Sequence, residues 1–228
     1  MRDEHDAHVR ASAATTAKAP GPRPPLDPDT ARLLARAANA RAAVFVEGWS
    51  DQAALEALAR RRGVDLRGEG VVVVPIGGAT NAHRFVAALG PQGLGLALAV
   101  LCDAAELAQV RRDVERAGES GRRIAPAAAP GGVKAGVFAC DADLEDELIR
   151  ALGTAAVEAV LEAEGELASF RRFQEQPAQR GRDLHAQLHR FLGTRAGRKI
   201  RYGALLVDAL DLDRVPCALE LVLAHARR

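Results

Sequence analysis

The chain alternates short apolar runs with stretches in which apolar residues recur every three or four positions. Ala43 to Val46 is the first run, and its β-branched and aromatic content predicts a buried strand rather than a helix. Val71 to Ile76 predicts a second strand, Leu94 to Cys102 a third, and VKAGVFAC, ending at Cys140, a fourth. Helical patterns lie between them. One begins at Asp51 with Ser50 as its cap and Leu55 and Leu58 on one face, another covers Ala79 to Leu89, and a third follows Asp103. A short helix, TARLLARAANA, capped by Asp29 or Thr30, is expected ahead of the first strand. Strands alternating with helices favour parallel pairing through right-handed crossovers. The expected fold is α/β: a Rossmann-like, largely parallel four-stranded sheet with flanking helices, followed by a helical C-terminal extension.

Composition refines this division. At 228 residues and 48% hydrophobic content the chain can bury a substantial core. Residues 1–28 are charged, then Ala/Thr-rich, then APGPRPPLDP, and are expected to form a disordered tail. The sheet domain is then expected over 29–152 and the extension over 153–228. Cys102, Cys140 and Cys217 lie far apart with no CxxC pair, which indicates neither a zinc site nor a disulfide framework and suits a reducing cytoplasm. No apolar run approaches the length of a membrane span and the N-terminus has no apolar export segment, so no membrane partner is expected.

The net charge of +1 is uninformative, but its distribution is not. From Arg171 to Arg201 there are nine Lys or Arg against two acids, enough to neutralise several phosphates and make binding salt-dependent. The same cluster also suits a solvated arginine face. His185 and His189 form an i, i+4 pair, but HxxxH lacks the glutamate of a zinc protease motif.

Candidate chemistry gathers where the strands end. Glu47 follows the first strand with Asp51 four residues on, Asp103 follows the third with Glu106 three on, and Glu145 lies in the acidic run after the fourth. In a parallel sheet the carboxyl ends of the strands and the helix N-termini share one rim, where ligands bind. Any one such turn is also an ordinary helix start, since carboxylates complement the helix dipole. Gly77-Gly78 after the second strand could bring backbone amides close to a phosphate, or could serve turn geometry alone. No GxxxxGK[ST] occurs, which excludes a Walker-type ATPase.

Taken together, VEGWSD, the Gly-Gly turn, LCDAAE and DLEDELIRAL resemble the TOPRIM domain of topoisomerases, bacterial primases and overcoming-lysogenization-defect (OLD) nucleases, over roughly residues 42 to 150. The likeness is greatest to the OLD-type branch, because E-G-x-S-D keeps a second acid after the glutamate and D-L-E follows the fourth strand. GRKIRYGALLVDAL is similar to that branch's C-terminal extension and places Lys199 at its lysine.

The resemblance implies that Glu47 acts as metal ligand or general base, that Asp51 and Asp103 are further ligands, that Glu145 serves a second metal, and that Lys199 stabilises charge at the phosphate. Mg²⁺ or Mn²⁺ is the implied cofactor, since two such ions ~3.5 to 4 Å apart stabilise the attacking and leaving oxygens of a phosphodiester. Gly77, Gly78, Arg195, Arg198 and Arg201 are the expected phosphate or nucleic-acid contacts. One departure stands out: the family's D-x-D reads Asp103-Ala104-Ala105, leaving Glu106 as the candidate substitute for the missing acid. The family's larger members also carry an ATPase half, and this chain resembles the nuclease half alone. The expected function is divalent-metal phosphodiester chemistry on nucleic acid, DNA foremost, by a stand-alone OLD-type endonuclease of the nucleotidyl transferase/hydrolase class, with a separate ATPase or repair protein as candidate partner. Hydrolysis is favoured over transfer, because the single tyrosine, Tyr202, lies in the basic extension. The alternative is a catalytically weak nucleic-acid or nucleotide-binding module that acts through a partner.

Overall fold

The computed structural model describes residues 24–124 and 135–228. Four strands, β1 (Ala42–Val46), β2 (Val71–Pro75), β3 (Ala97–Asp103) and β4 (Ala135–Cys140), form one sheet in the order β2-β1-β3-β4. Every pairing is parallel, with Val46 opposite Pro75 and Asp103 opposite Cys140, so the strands end on one rim. β1 is buried along its whole length because both its faces are covered, which is why it reads as an unbroken apolar run. Ala43 and Phe45 face one layer, Ala42, Val44 and Val46 the other.

The first layer holds α1 (Pro28–Ala37), α3 (Ala82–Leu89) and α4 (Leu107–Ile124), with Phe45 packed on Phe85 at 5.9 Å between ring centroids. The second holds α2 (Trp49–Arg61), α5 (Leu144–Leu152), α6 (Thr154–Ala163), α7 (Leu167–Gln174), α8 (Leu184–Gly193), α9 (Ala196–Ala209) and α10 (Cys217–Ala226) in one continuous apolar cluster. The C-terminal helices are thus the second cover of the sheet. α9 runs against α2 so closely that a Cβ on Gly203 would stand 2.6 Å from the Ser50 carbonyl oxygen. Arg61, at the end of α2, donates to the Val207 and Leu210 carbonyls and so satisfies the open end of α9.

Several local expectations shift by a few residues for identifiable reasons. α2 starts at Trp49 with Gly48 as cap, and Asp51 sits in its first turn, where Oδ2 accepts from the Gly48 amide at 2.8 Å. Ser50 is buried under α9 instead of capping. Asp27, and not Asp29 or Thr30, caps α1, accepting from both their amides at 3.0 Å. A 3-10 turn at Ala79–Asn81 precedes α3, and β3 begins at Ala97 after a turn in which Gly95 has φ 72°. Residues 1–23 of the expected tail and the loop at 125–134 lie outside the described residues. Residues 24–27 lie within them: Leu26 donates to the Pro75 carbonyl, and Pro25 lies where a Gly77 side chain would go.

Candidate metal and nucleic-acid site

At the rim, a cavity of about 210 Å³ is lined by Glu47, Asp51, Gly78, Asp103, Asp143, Glu145 and Lys199, among others. Each acid is delivered by a different piece of the fold. Glu47 leaves β1, and its Oε1 accepts from the Asp103 amide at the end of β3, 3.0 Å away. Asp51 is held by its own helix start. Glu145 stands in the first turn of α5 and is 4% exposed. Lys199 comes from the first turns of α9, one helical turn before the Gly203 contact, and its Nζ lies 3.2 Å from Glu145 Oε2. The close Gly203–Ser50 approach therefore sets how far the lysine reaches over the rim.

The charges are strongly perturbed. Burial, then a hydrogen bond with Glu106, pushes Glu47 up to about 8. Burial, then the Glu145 charge, pushes Asp51 up to about 7, and burial with the Asp143 charge pushes Asp103 up to about 6. Burial disfavours the Lys199 ammonium, but the charges of Glu145 and Asp51 outweigh it and hold its pKa above the ordinary value. Two carboxyl groups as close as Glu47 and Glu106 cannot readily both ionise. Glu106 Oε2 is buried with no hydrogen-bond partner.

Glu106 thus reaches Glu47, but it does not line the cavity with Asp51 and Glu145. The Gly77 and Gly78 amides both donate to the Glu47 carbonyl, at 2.9 and 3.2 Å, so these amides secure the strand end and are not free to cradle a phosphate. Arg198 is 6% exposed, with its guanidinium on Glu166, Thr194 and the Phe191 carbonyl, 3.9 Å above the Phe191 ring. It is a packing group of the helical layer. Arg201 is paired with Glu164. Arg195 opens onto a different cavity, on α7 to α9.

Asp143, the first residue of the D-L-E after the fourth strand, is a rim residue to which the sequence reading gave no role. It caps α5 by accepting from the Asp146 amide at 2.8 Å, and its other oxygen lies 2.7 Å from His189 Nε2. Burial opposes its ionisation, but His189 prevails and holds it below the usual carboxylate range, while Asp143 raises His189 in turn. His185 binds Asp146 in the same way, at 2.6 Å. The HxxxH pair therefore anchors α8 to α5. The available signal was the spacing itself: Asp143 precedes Glu145 by two, as D-x-E.

The rim suits a hard divalent cation. Its donors are carboxylate oxygens, burial pushes the pKa of three of them up to about 8, 7 and 6, and Glu145 Oε1 is buried with no hydrogen-bond partner. Among the described residues, no three carboxylate, imidazole or thiol groups are already drawn together at ion-binding spacing.

An all-parallel sheet with acids and a lysine on its carboxyl rim defines a TOPRIM-like α/β fold. Residues 40–104 match the family described as overcoming lysogenization defect protein-like, TOPRIM domain, and over that stretch the chain is similar to it. Among solved structures, the C-terminal region of the Xanthomonas campestris pv. campestris OLD protein aligns over 82% of this chain and 94% of its own, with 24% identity and a TM-score of 0.58. The C-terminal region of the Burkholderia pseudomallei OLD protein aligns over 82% and 97%, with 22% identity and a TM-score of 0.56. These likenesses establish the fold. No curated protein matches the chain. Among the described residues, no helix is long and apolar enough to cross a membrane.

Proposed function

We propose that the protein is a divalent-metal-dependent nuclease that hydrolyses phosphodiester bonds of nucleic acid, DNA foremost, in the cytoplasm. The observation that carries this reading is the meeting of Lys199 with five rim acids in one cavity, although the lysine lies in a later helix than any of the acids. Glu47, Asp51, Asp103 and Glu145 are the residues that would hold Mg²⁺ or Mn²⁺, with Asp143 beside them. A bound ion supplies Lewis-acid stabilisation of the phosphodiester oxygens. In its ionised form Glu47 would accept a proton from the attacking water. Lys199 is the fixed positive charge at the rim and stabilises charge that develops on the phosphate. Tyr202 is 1% exposed and burial pushes its hydroxyl up to about 12, so it cannot act as a transfer nucleophile, which favours water.

Ala105, and a Glu106 that does not line the cavity, favour one second reading, a binding module of low catalytic power that serves a partner such as a separate ATPase. Incubation with single-stranded, nicked and supercoiled DNA, and with RNA, across Mg²⁺, Mn²⁺ and Ca²⁺ separates the two. Cleavage by the wild type that is lost in Glu47→Gln supports the nuclease. Binding with no cleavage under any metal supports the module.

A further inference from the structure

Besides the rim, the helical layer carries a second cavity, of about 350 Å³, where α7, α8 and the start of α9 meet. No acid lines it. Arg172 and Arg195 line it with Ser169, Phe173, Gln176, Phe191, Thr194 and the buried, Glu166-paired Arg198. The neighbouring arginines are each neutralised: Arg171 by Glu158, Arg198 by Glu166, Arg201 by Glu164. Among the described residues, Arg172 and Arg195 have no hydrogen-bonded or ion-paired partner. Two exposed guanidinium groups without acidic partners at one concavity make it locally positive. They are the arrangement expected where an anion completes the site, and guanidinium donors match phosphate oxygens in geometry as well as charge.

The position of the cavity narrows the choice of anion. Arg195 caps α9 and Lys199 follows it by four residues, about 6 Å further along the helix axis at 1.5 Å per residue. That is one helical turn, so a chain of phosphates that meets Lys199 at the rim passes within reach of Arg195. We propose that this cavity holds a phosphodiester group of the nucleic-acid strand whose cleaved bond lies at the rim. It is a binding subsite that keeps the strand in register while Lys199 faces the scissile phosphate. The inference rests on the nucleic-acid reading above and deepens it.

The test uses the full chain in EDTA, so that binding is measured without cleavage, with a labelled single-stranded DNA 20-mer at several salt concentrations. The double variant Arg172→Ala/Arg195→Ala should bind about tenfold more weakly, with a salt slope reduced by about 0.7, as for one phosphate lost on a single strand. Arg67→Ala removes the same kind of charge at the opposite end of the sheet and should change neither. A second arm measures melting temperature with inorganic phosphate. If the double variant keeps wild-type affinity and slope while the wild type cleaves, the subsite is overturned and the nuclease reading stands. If the wild type binds no nucleic acid, yet phosphate raises its melting temperature and the double variant loses that rise, the cavity serves free phosphate and the strand proposal is overturned. If the double variant loses affinity while Glu47→Gln retains it, the subsite is supported even should no cleavage be found.

Discussion

The two sides of the rim cavity hold carboxylates in opposite electrostatic states. On the α5 side each acid has a basic partner: Glu145 has Lys199, Asp143 has His189, and Asp146 has His185 and Arg150. On the β1–β3 side Glu47, Asp103 and Glu106 have only one another and backbone amides, and the pKa values of Glu47 and Asp103 rise to about 8 and 6. Among the described residues, the α5 side has directly paired cations, whereas on the β1–β3 side only the more distant Lys199 charge acts on Asp103. A buried acid left without a cation is costly unless it takes a proton or a metal, so the unpaired side is where an ion has most to gain.

The largest expected effect comes from the unpaired side. Glu47→Gln should lower the cleavage rate by about 10²- to 10⁴-fold, the range for loss of a positioned acid–base group, with affinity for DNA in EDTA intact. On the paired side, Lys199→Ala should lower the rate at saturating DNA by roughly 10²-fold with a smaller change in binding. An unchanged saturated rate with weakened binding would reduce Lys199 to a phosphate contact. Gly203→Ala probes how the lysine is placed. Alanine favours a helix by about 1 kcal/mol over glycine, yet its Cβ would collide with the Ser50 carbonyl oxygen at 2.6 Å. The contact should dominate, with about 1 to 3 kcal/mol of destabilisation by urea unfolding, as for overpacking, and a rate loss in the direction of Lys199→Ala. A neutral or stabilised variant would show that α9 does not depend on this approach.

The pH dependence sharpens the same contrast. Glu47, Asp51 and Asp103 bind protons more tightly folded than unfolded, so without metal the folded state loses stability as pH rises from about 4, where free carboxyls titrate, to about 8. The His189 contribution is present below its unfolded pKa and is also lost as pH rises through its elevated folded value. Asp143 acts in the reverse sense, and its contribution is lost in acid. Melting curves in EDTA should therefore fall from pH 5 to pH 8. Mg²⁺ should recover the share that comes from the unpaired acids, and Asp103→Asn should remove most of that recovery.

The sheet and its rim acids were legible because each strand is a short apolar run and three of the four are closed by a carboxylate, a pattern that needs no knowledge of packing. What escaped notice depends on partners distant in sequence. Nothing in a Gly-Gly dipeptide shows that its amides are taken by the Glu47 carbonyl. A count of basic residues could not tell Arg198, neutralised by Glu166 from 32 residues away, from Arg172 and Arg195. Asp143 was hidden in an acidic run that reads as helix-start chemistry, and the link between Lys199 and the rim passes through Gly203, a residue with no side chain to attract attention.

The central claim is that protons on the unpaired acids stand where a divalent ion belongs, and proton release on metal binding tests it most directly. Mn²⁺ titrated calorimetrically near pH 6.5, in two buffers of different ionisation enthalpy, should bind with net release of protons to the buffer, and Glu47→Gln should reduce that release. Binding with no proton release, or release unchanged in Glu47→Gln, would contradict the account.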